Sequence, residues 1–263
     1  MNKIIVALFS ILLLSNCTQV IDIDLNNSDP KIIVEGSITN EAGPYFVKLS
    51  KSVNFDQSNS YPPISNAVVT ISDETIIDTL IEIKSGVYQT QRIQGVIGKT
   101  YKLNINVNGE VITASSTMPD LVPLDSITFL ISEFGRGNNE KIYVPIPHFK
   151  DPISSGNSYR FKMTVNDTLD KTFFVDNDDL INGLEYQRPL FSNDRELKLG
   201  STLLVEMQCI DRAIFDYFTS LNSSIGNGPG GGATPSNPTS NINGNAIGYF
   251  SAHTAQRKLV IVK

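Results

Sequence analysis

The sequence predicts a mainly β fold with two parts, an immunoglobulin-like β-sandwich over residues 31–119 and a β-rich domain with one short helix over residues 120–263. Short apolar runs with period-two alternation recur through most of the chain. Each run is bounded by Gly, Pro, Asn or Asp, as strands are. Seven runs within about ninety residues match the strand spacing of an immunoglobulin-like sandwich. The Cys and Trp that mark antibody domains are absent, so the likeness concerns architecture only.

The N-terminus has the parts of a secretory signal. Lys3 supplies a positive start, and residues 4–14 form an apolar run that is too short to span a membrane, which takes about 20 residues. The segment Leu14-Ser15-Asn16-Cys17 resembles the bacterial lipobox, whose Cys thiol accepts a diacylglycerol before cleavage. Asn16 departs from the Gly, Ala or Ser usual at its position. We predict a signal peptide over residues 1–16 and lipidation at Cys17; the alternative is an ordinary cleaved signal with an incidental cysteine.

Residues 17–30 are predicted to be a lipid-anchored tether. The segment carries Asp22, Asp24 and Asp29, with Asn and Ser residues between them. Two or three acyl chains anchor a protein stably where one does not. The protein is therefore expected to contact a membrane through its N-terminal lipid.

The first domain contains the clearest strand signal. In residues 101–107, Tyr101, Leu103, Ile105 and Val107 alternate with polar residues, as in a half-buried antiparallel strand. The following Asn-Gly pair predicts a hairpin turn. The other predicted strands of this domain are residues 32–38, 45–49, 67–72, 76–83, 87–90 and 111–117.

The second domain begins after a proline-rich boundary at residues 119–123. Asp211 can cap a short helix of about three turns, because Ile214, Phe218 and Leu221 recur at helical spacing. A Gly-rich loop is predicted over residues 226–237. The predicted strands are residues 126–132, 142–146, 159–166, 172–175, 202–210 and 259–262.

Charge and cysteine content exclude several classes of protein. Removing residues 1–16 takes away one lysine, which leaves 20 basic and 27 acidic residues and a net charge of −7. Without a basic cluster, nucleic acid is excluded as a predicted partner. The chain has two cysteines, so the lipid at Cys17 leaves Cys209 alone. Cys209 shares an apolar strand face and is interpreted as a packed core thiol.

No catalytic constellation is predicted. The only histidines, His148 and His253, are not accompanied by a nucleophile motif, and the chain lacks the ligands of a structural zinc site. Asp176, Asp178 and Asp179 form a weak calcium candidate. The order of ligands in an EF-hand is not met, and Asp and Asn also cluster in turns because their side chains bond nearby backbone. We favour the turn and predict neither a metal nor a cofactor.

An aromatic pair is the candidate binding feature. The chain has no Trp, which argues against a carbohydrate-binding platform. Tyr249 and Phe250 stand between glycines that permit close approach by a partner backbone. The alternative is that Gly244 and Gly248 serve a turn into the last strands.

Three segments together resemble a family of Bacteroidetes outer-membrane lipoproteins, domain of unknown function 4249 (DUF4249). They are IVEGSI with PYFVKLS at residues 33–50, GVY, GKTY and MP at residues 86–119, and SNING with GYFSA at residues 240–252. The resemblance covers essentially the whole chain after Cys17. It implies an outer-membrane location beside TonB-dependent receptors, on the periplasmic or the cell-surface face. The family has no established catalytic residues, so the resemblance implies none here.

Two functions are consistent with these features. The first is a non-enzymatic binding or accessory module associated with a TonB-dependent uptake system. The alternative is a cryptic carboxylate-based hydrolase that acts on glycans or peptides through the acids near residues 176–179. We expect the first, and therefore no enzymatic activity.

Overall fold

The computed structural model describes residues 29–54, 60–132, 141–226 and 237–263. The signal peptide, Cys17, most of the tether and residues 227–236 of the Gly-rich loop lie outside these ranges. Within them, strands dominate, three sheets form, and one helix is present. The prediction of a mainly β protein is confirmed. No helix in the described ranges has the length and apolar character needed to cross a membrane.

The N-terminal half is a sandwich of two sheets around one apolar core. Its strands are β1 (Ile32–Thr39), β2 (Phe46–Lys51), β3 (Val68–Ser72), β4 (Ile77–Thr79), β5 (Ile81–Lys84), β6 (Val87–Gln89), β7 (Thr100–Val107) and β8 (Glu110–Thr117), together with β16 (Ile242–Asn243) and β17 (Ala246–Ile261) from the C-terminal part of the chain. One sheet has the order β17-β1-β2-β6-β5, and the other has the order β16-β8-β7-β3-β4.

Strands β7 and β8 form the predicted hairpin. Tyr101, Leu103 and Ile105 are at most 1% exposed, so the predicted apolar face is the buried face. The turn residues Asn108 and Gly109 both have positive φ, 52° and 83°. A two-residue turn of this type requires such angles, which is why Asn-Gly is favoured there.

The predicted strand at residues 76–83 is wrong in one respect, because the structure divides it. β4 pairs with β3 in one sheet, whereas β5 pairs with β6 in the other. Leu80, between them, is buried and its N–H donates to the carbonyl of Val69 at 2.9 Å. The chain therefore crosses the sandwich at Leu80. A continuous apolar run does not reveal that crossing, since both sheets contribute to the same core.

The C-terminal half is a second two-sheet sandwich with its own core. Its elements are β9 (Ser126–Ser132), β10 (Ile142–Lys150), β11 (Ser158–Val165), β12 (Thr168–Leu169), β13 (Phe174–Asn177), β14 (Glu185–Tyr186), β15 (Thr202–Ile210) and helix α1 (Arg212–Gly226). β15 and β11 extend the sheet that contains β17 and β1, which we call the long sheet, and β14-β10-β9 form the facing sheet.

Helix α1 begins where the sequence predicts. The Asp211 carboxylate accepts the N–H of Ile214 at 3.0 Å, which is an N-cap contact. Its second oxygen accepts the Ser116 hydroxyl at 2.5 Å, so the cap also ties the helix to β8 of the first sandwich. The helix has 15 residues, about four turns, and is longer than predicted.

Strand β17 joins the two sandwiches into one sheet. Its first half runs parallel to β1, from Ile32↔Ala246 to Thr39↔His253. Its second half pairs antiparallel with β15. The strand has 16 residues and spans about 50 Å, whereas the sequence predicted only its last residues. Within the missed part, residues 250–255 are buried on both faces, so they lack the polar alternation that marks a half-exposed strand.

Residues 120–125, which follow the predicted domain boundary, are hydrogen-bonded to β17. The Thr254 hydroxyl donates to the Asp120 carbonyl at 3.4 Å, and the Gln256 amide and Lys258 ammonium donate to the carbonyls of Val122 and Asp125. The division at residue 119 stays a prediction. The structure adds that Ile242, Phe250 and Ala252 belong to the core of the first sandwich.

Candidate functional site

The three carboxylates of the calcium candidate have separate partners. Asp178 is buried, and its Oδ2 accepts the backbone N–H groups of Gly156 at 2.7 Å and Asn157 at 3.0 Å. Both oxygens of the Asp176 carboxylate accept from Nη1 of Arg188, at 2.7 and 2.8 Å. Asp179 accepts a hydrogen bond from the Asn177 amide at 2.7 Å. Asp and Asn side chains make contacts of this kind in turns. In the ranges described, no group of side chains is able to hold a metal ion.

The two aromatic side chains of the candidate binding pair lie on opposite faces of β17. Phe250 is fully buried in the core of the first sandwich. Tyr249 lies on the outer face of the long sheet, where it packs against helix α1. Its ring lies 5.2 Å from the rings of both Tyr217 and Phe218, measured between centroids. The pair therefore does not present one continuous aromatic surface.

A guanidinium group lies among these rings. The Cζ atom of Arg160, on β11, is 3.8 Å from the centroid of the Phe218 ring, which is a cation–π contact. One Nη donates to Gln208 Oε1 at 3.4 Å, whereas the buried Nε has no hydrogen-bond partner among the described residues. Burial lowers the pKa of Arg160, but an Arg side chain remains charged in proteins.

A charged network continues from this group across the same face. Arg257 Nε donates to Glu206 at 2.7 Å, and its Nη1 donates to Glu41 at 2.5 Å. Lys162 lies 3.5 Å from the same Glu206 carboxylate. Burial alone raises the pKa of Glu206, but Lys162, Arg257 and the hydrogen bond from Gln208 together outweigh it and hold the pKa below its usual value. The network connects β11, β15 and β17 with the loop after β1.

The remaining candidates for a nucleophile or a base, Cys209 and the two histidines, do not come together in one place. Cys209 is a packed core thiol, as predicted, and burial raises its pKa. His253 is buried and its Nδ1 lies 3.0 Å from the Ser251 hydroxyl. His148 lies on β10, in the other sheet, and contacts Thr128 across the ladder at 2.6 Å. The two histidines thus occupy different sheets.

A cleft lies beside β10, and we call it the loop cleft. It is formed where residues 190–197 leave β10 and return to it. The Leu190 N–H donates to the Pro145 carbonyl at 2.9 Å, and the Tyr143 N–H donates to the Leu197 carbonyl at 2.9 Å. Between these two hydrogen bonds the loop curves away from β10, and the cleft between loop and strand has a volume of about 450 Å³. This volume is in the range of small-molecule sites.

The loop that walls the cleft is held in place by hydrogen bonds. The Ser192 hydroxyl oxygen accepts the N–H groups of Asp194 at 3.0 Å and Arg195 at 2.9 Å. The Asn193 N–H donates to the Thr172 hydroxyl at 3.1 Å, which fastens the loop to the segment before β13. Because the loop is held by hydrogen bonds between its own residues and to Thr172, the entropy cost of ordering it on binding is reduced.

The lining combines apolar and polar groups. Phe191 is 60% exposed at the cleft, an unusual exposure for a large aromatic side chain. Tyr143 and Leu190 add apolar surface, while Arg195 and Glu196 supply opposite charges. Such a lining suits a small ligand with both apolar and polar parts.

Sequence reasoning missed the loop cleft and the charged network. The signal for the cleft was an aromatic residue, Phe191, directly before the polar run Ser192-Asn193-Asp194-Arg195. Arg160, Glu206 and Arg257 gave no local signal, because each occupies an ordinary polar position of an alternating strand.

Comparison with known proteins gives one family match. A model of a domain of unknown function, DUF4249, matches residues 18–258. Among solved structures, the chain is similar to a selenomethionine-substituted chicken interferon gamma receptor alpha chain, with 11% identity and a TM-score of 0.20. That alignment covers 70% of this chain and 90% of the receptor chain, but so low a TM-score carries no argument. No curated protein matches.

Proposed function

Since this chain belongs to the DUF4249 family, we propose that it is a lipid-anchored, non-enzymatic binding module that serves an outer-membrane uptake system. The observation that carries the anchor is the lipobox-like segment Leu14-Ser15-Asn16-Cys17. The family match begins at residue 18, directly after Cys17, which supports a mature chain that starts there. The outer-membrane location and the TonB-dependent partner are proposed from the resemblance to Bacteroidetes lipoproteins.

The loop cleft supports binding as the activity of the folded part. It is a cavity with an exposed aromatic side chain and two charged residues, and hydrogen bonds hold its wall in place. The acids proposed for a hydrolase are engaged elsewhere, since Asp176 is paired with Arg188 and Asp178 accepts backbone N–H groups. Binding is therefore the function that this geometry favours over hydrolysis.

Labelling with palmitate tests the anchor and the partner together. The wild-type chain, extracted from membranes in detergent, is expected to carry the label and to co-purify with a barrel receptor. Cys17→Ala is expected to lose both, because the acceptor thiol is gone. Cys209→Ala is the matched control, since its thiol is buried in the core, and it should keep the label.

Label on Cys17→Ala, or an unmodified N-terminal residue in the mass spectrum of the native protein, would refute the anchor. A labelled wild-type protein that emerges alone from the detergent extract would count against the receptor.

Phe191→Trp tests the loop cleft. Because the chain has no other Trp, this substitution places a single fluorescent reporter at the cleft. We expect its emission to shift with a pool of two- to four-unit neutral oligosaccharides or with a pool of two- to four-residue peptides. Leu180→Trp, at a site that is 78% exposed and outside the cleft, should show no shift. If the emission of Phe191→Trp did not shift with either pool, the loop cleft would be ruled out as the ligand site.

A further inference from the structure

Within the described ranges, one stretch of β17 has a partner strand on one side only. β1 covers one side of β17 only as far as His253, and β15 pairs with the other side from Thr254 to Ile261. Beyond the end of β1, no strand in the described part of the chain pairs with residues 257–261 on the β1 side. We call this stretch the open edge.

The backbone of the open edge points outward at alternate residues. Val262 donates its N–H to the Ser201 carbonyl at 2.9 Å. The backbone N–H and C=O groups of the even-numbered residues of β17 therefore point toward β15. Ala255 instead donates to the Asn40 side chain at 2.7 Å, on the β1 side. Successive residues of an antiparallel ladder alternate in this way. Arg257, Leu259 and Ile261 therefore direct their N–H and C=O groups away from β15.

The open edge is not protected by charge. Lysine and arginine side chains at an exposed edge normally discourage pairing with another chain. Here Arg257 is bound to Glu206 and Glu41, and Lys258 reaches inward to the Asp125 carbonyl. What remains is apolar, since Leu259 is 65% exposed and Ile261 is 54% exposed.

We propose that the open edge pairs antiparallel with the open edge of a second copy of this chain. A two-fold axis at Leu259 places Leu259 opposite itself and Arg257 opposite Ile261. All three outward-facing residues then exchange backbone hydrogen bonds, and no like charges lie opposite each other. Lys258 lies opposite Val260, so the second face of the ladder also avoids like charges. The ladder between the two copies stops before Ala255, because the backbone N–H of Ala255 already donates to the Asn40 side chain.

The resulting dimer continues the long sheet from one molecule into the next. An interface of this kind is self-complementary, as two-fold dimers require. The inference goes beyond the proposed function and is independent of it, because it concerns neither the lipid nor the cleft.

Sedimentation of the full mature chain in detergent tests the proposal. Wild-type protein is expected to be a dimer. Leu259→Pro is expected to raise the dimer dissociation constant by at least about tenfold, because it removes an outward N–H but no ladder bond to β15. Leu259→Thr keeps the N–H and should weaken the dimer less. An unchanged circular dichroism spectrum shows that Leu259→Pro is folded. A monomeric wild-type protein at 100 μM would overturn the proposal, as would an equally dimeric Leu259→Pro.

Disulfide crosslinking tests the same pairing with a variant that keeps the backbone N–H of residue 259. Directly opposed residues of a hydrogen-bonded antiparallel pair have Cα atoms about 5.5 Å apart, within reach of a disulfide. Leu259→Cys is expected to form a disulfide-linked dimer under mild oxidation. Ile153→Cys, which is 89% exposed and lies between β10 and β11 rather than on β17, is the control and should stay monomeric. Cys209 is buried and does not compete. Equal rates for both variants, or no crosslink at residue 259, would contradict the pairing.

Discussion

Gly248→Ala is expected to disrupt the pairing of β1 with β17 and to lower the free energy of unfolding by more than about 4 kcal/mol. Gly248 has φ +111° and lies opposite Val34. A Cβ at this position would be 2.0 Å from the Val34 carbonyl oxygen and 2.9 Å from the Val34 nitrogen. These are backbone atoms of a buried strand, so they cannot move aside as the end of a flexible side chain can. The substitution combines a steric clash with a strained backbone.

Urea denaturation followed by circular dichroism measures this loss. Gly98→Ala is the matched control, because Gly98 also has positive φ, +81°, but a Cβ there meets nothing within 4 Å. It should cost only about 1–2 kcal/mol, the strain of a left-handed L residue. If the two variants were destabilised equally, the close approach of β1 and β17 at Gly248 would be ruled out as the cause.

The second large effect is a dependence of stability on pH that comes from His253. Burial lowers the pKa of His253 from 6.5 to about 4, and the positive charge of Arg160 acts in the same direction. Lys162 also lowers it, whereas Glu206 raises it. The folded protein therefore holds this imidazole neutral until the pH is close to 4.

The sign of the effect follows from proton binding. As the pH falls below 6.5, the unfolded chain takes up a proton at His253 while the folded chain does not, so the free energy of unfolding decreases. The decrease is complete near pH 4 and amounts to about 3 kcal/mol, at 1.36 kcal/mol for each pKa unit. The stabilisation is present above pH 6.5.

His253→Gln is expected to remove this part of the pH dependence. Urea denaturation at pH 7 and pH 4.5 should show a loss of stability that is about 2–3 kcal/mol smaller in the variant than in the wild-type protein. Acids with lowered pKa values, such as Asp73 and Glu206, lose their stabilisation only as the pH falls through and below their ordinary pKa values of 3.8 and 4.5, and they do so in both proteins. His148→Gln, which removes the other histidine, is the control. An equal change in both histidine variants would show that burial of His253 is not the cause.

Local patterns account for the features that were predicted correctly. The alternation in β7 and the Asn108-Gly109 turn are contained within a few residues, so they are visible in the sequence. The same holds for the cap at Asp211, whose partner is three residues away. Each of these elements forms through contacts between near neighbours in the chain.

The candidate sites could not be predicted in this way. The loop cleft requires that residues 190–197 meet β10, which lies about fifty residues earlier in the chain. The charged network joins Lys162, Glu206 and Arg257 across three strands. Nothing in one strand indicates which charge lies opposite in the next, because register depends on the whole sheet.

The sequence by itself determined the β-rich composition, the main hairpin, the helix cap and the segment on which the lipid anchor is proposed. Only the tertiary structure decided that β17 joins both sandwiches, that Phe250 is buried while Tyr249 meets helix α1, and that an edge of β17 is left open. The reason is that alternation and turn chemistry are local properties of the chain. Burial on both faces, strand partners and unpaired edges depend on residues that are distant in sequence and close only after folding.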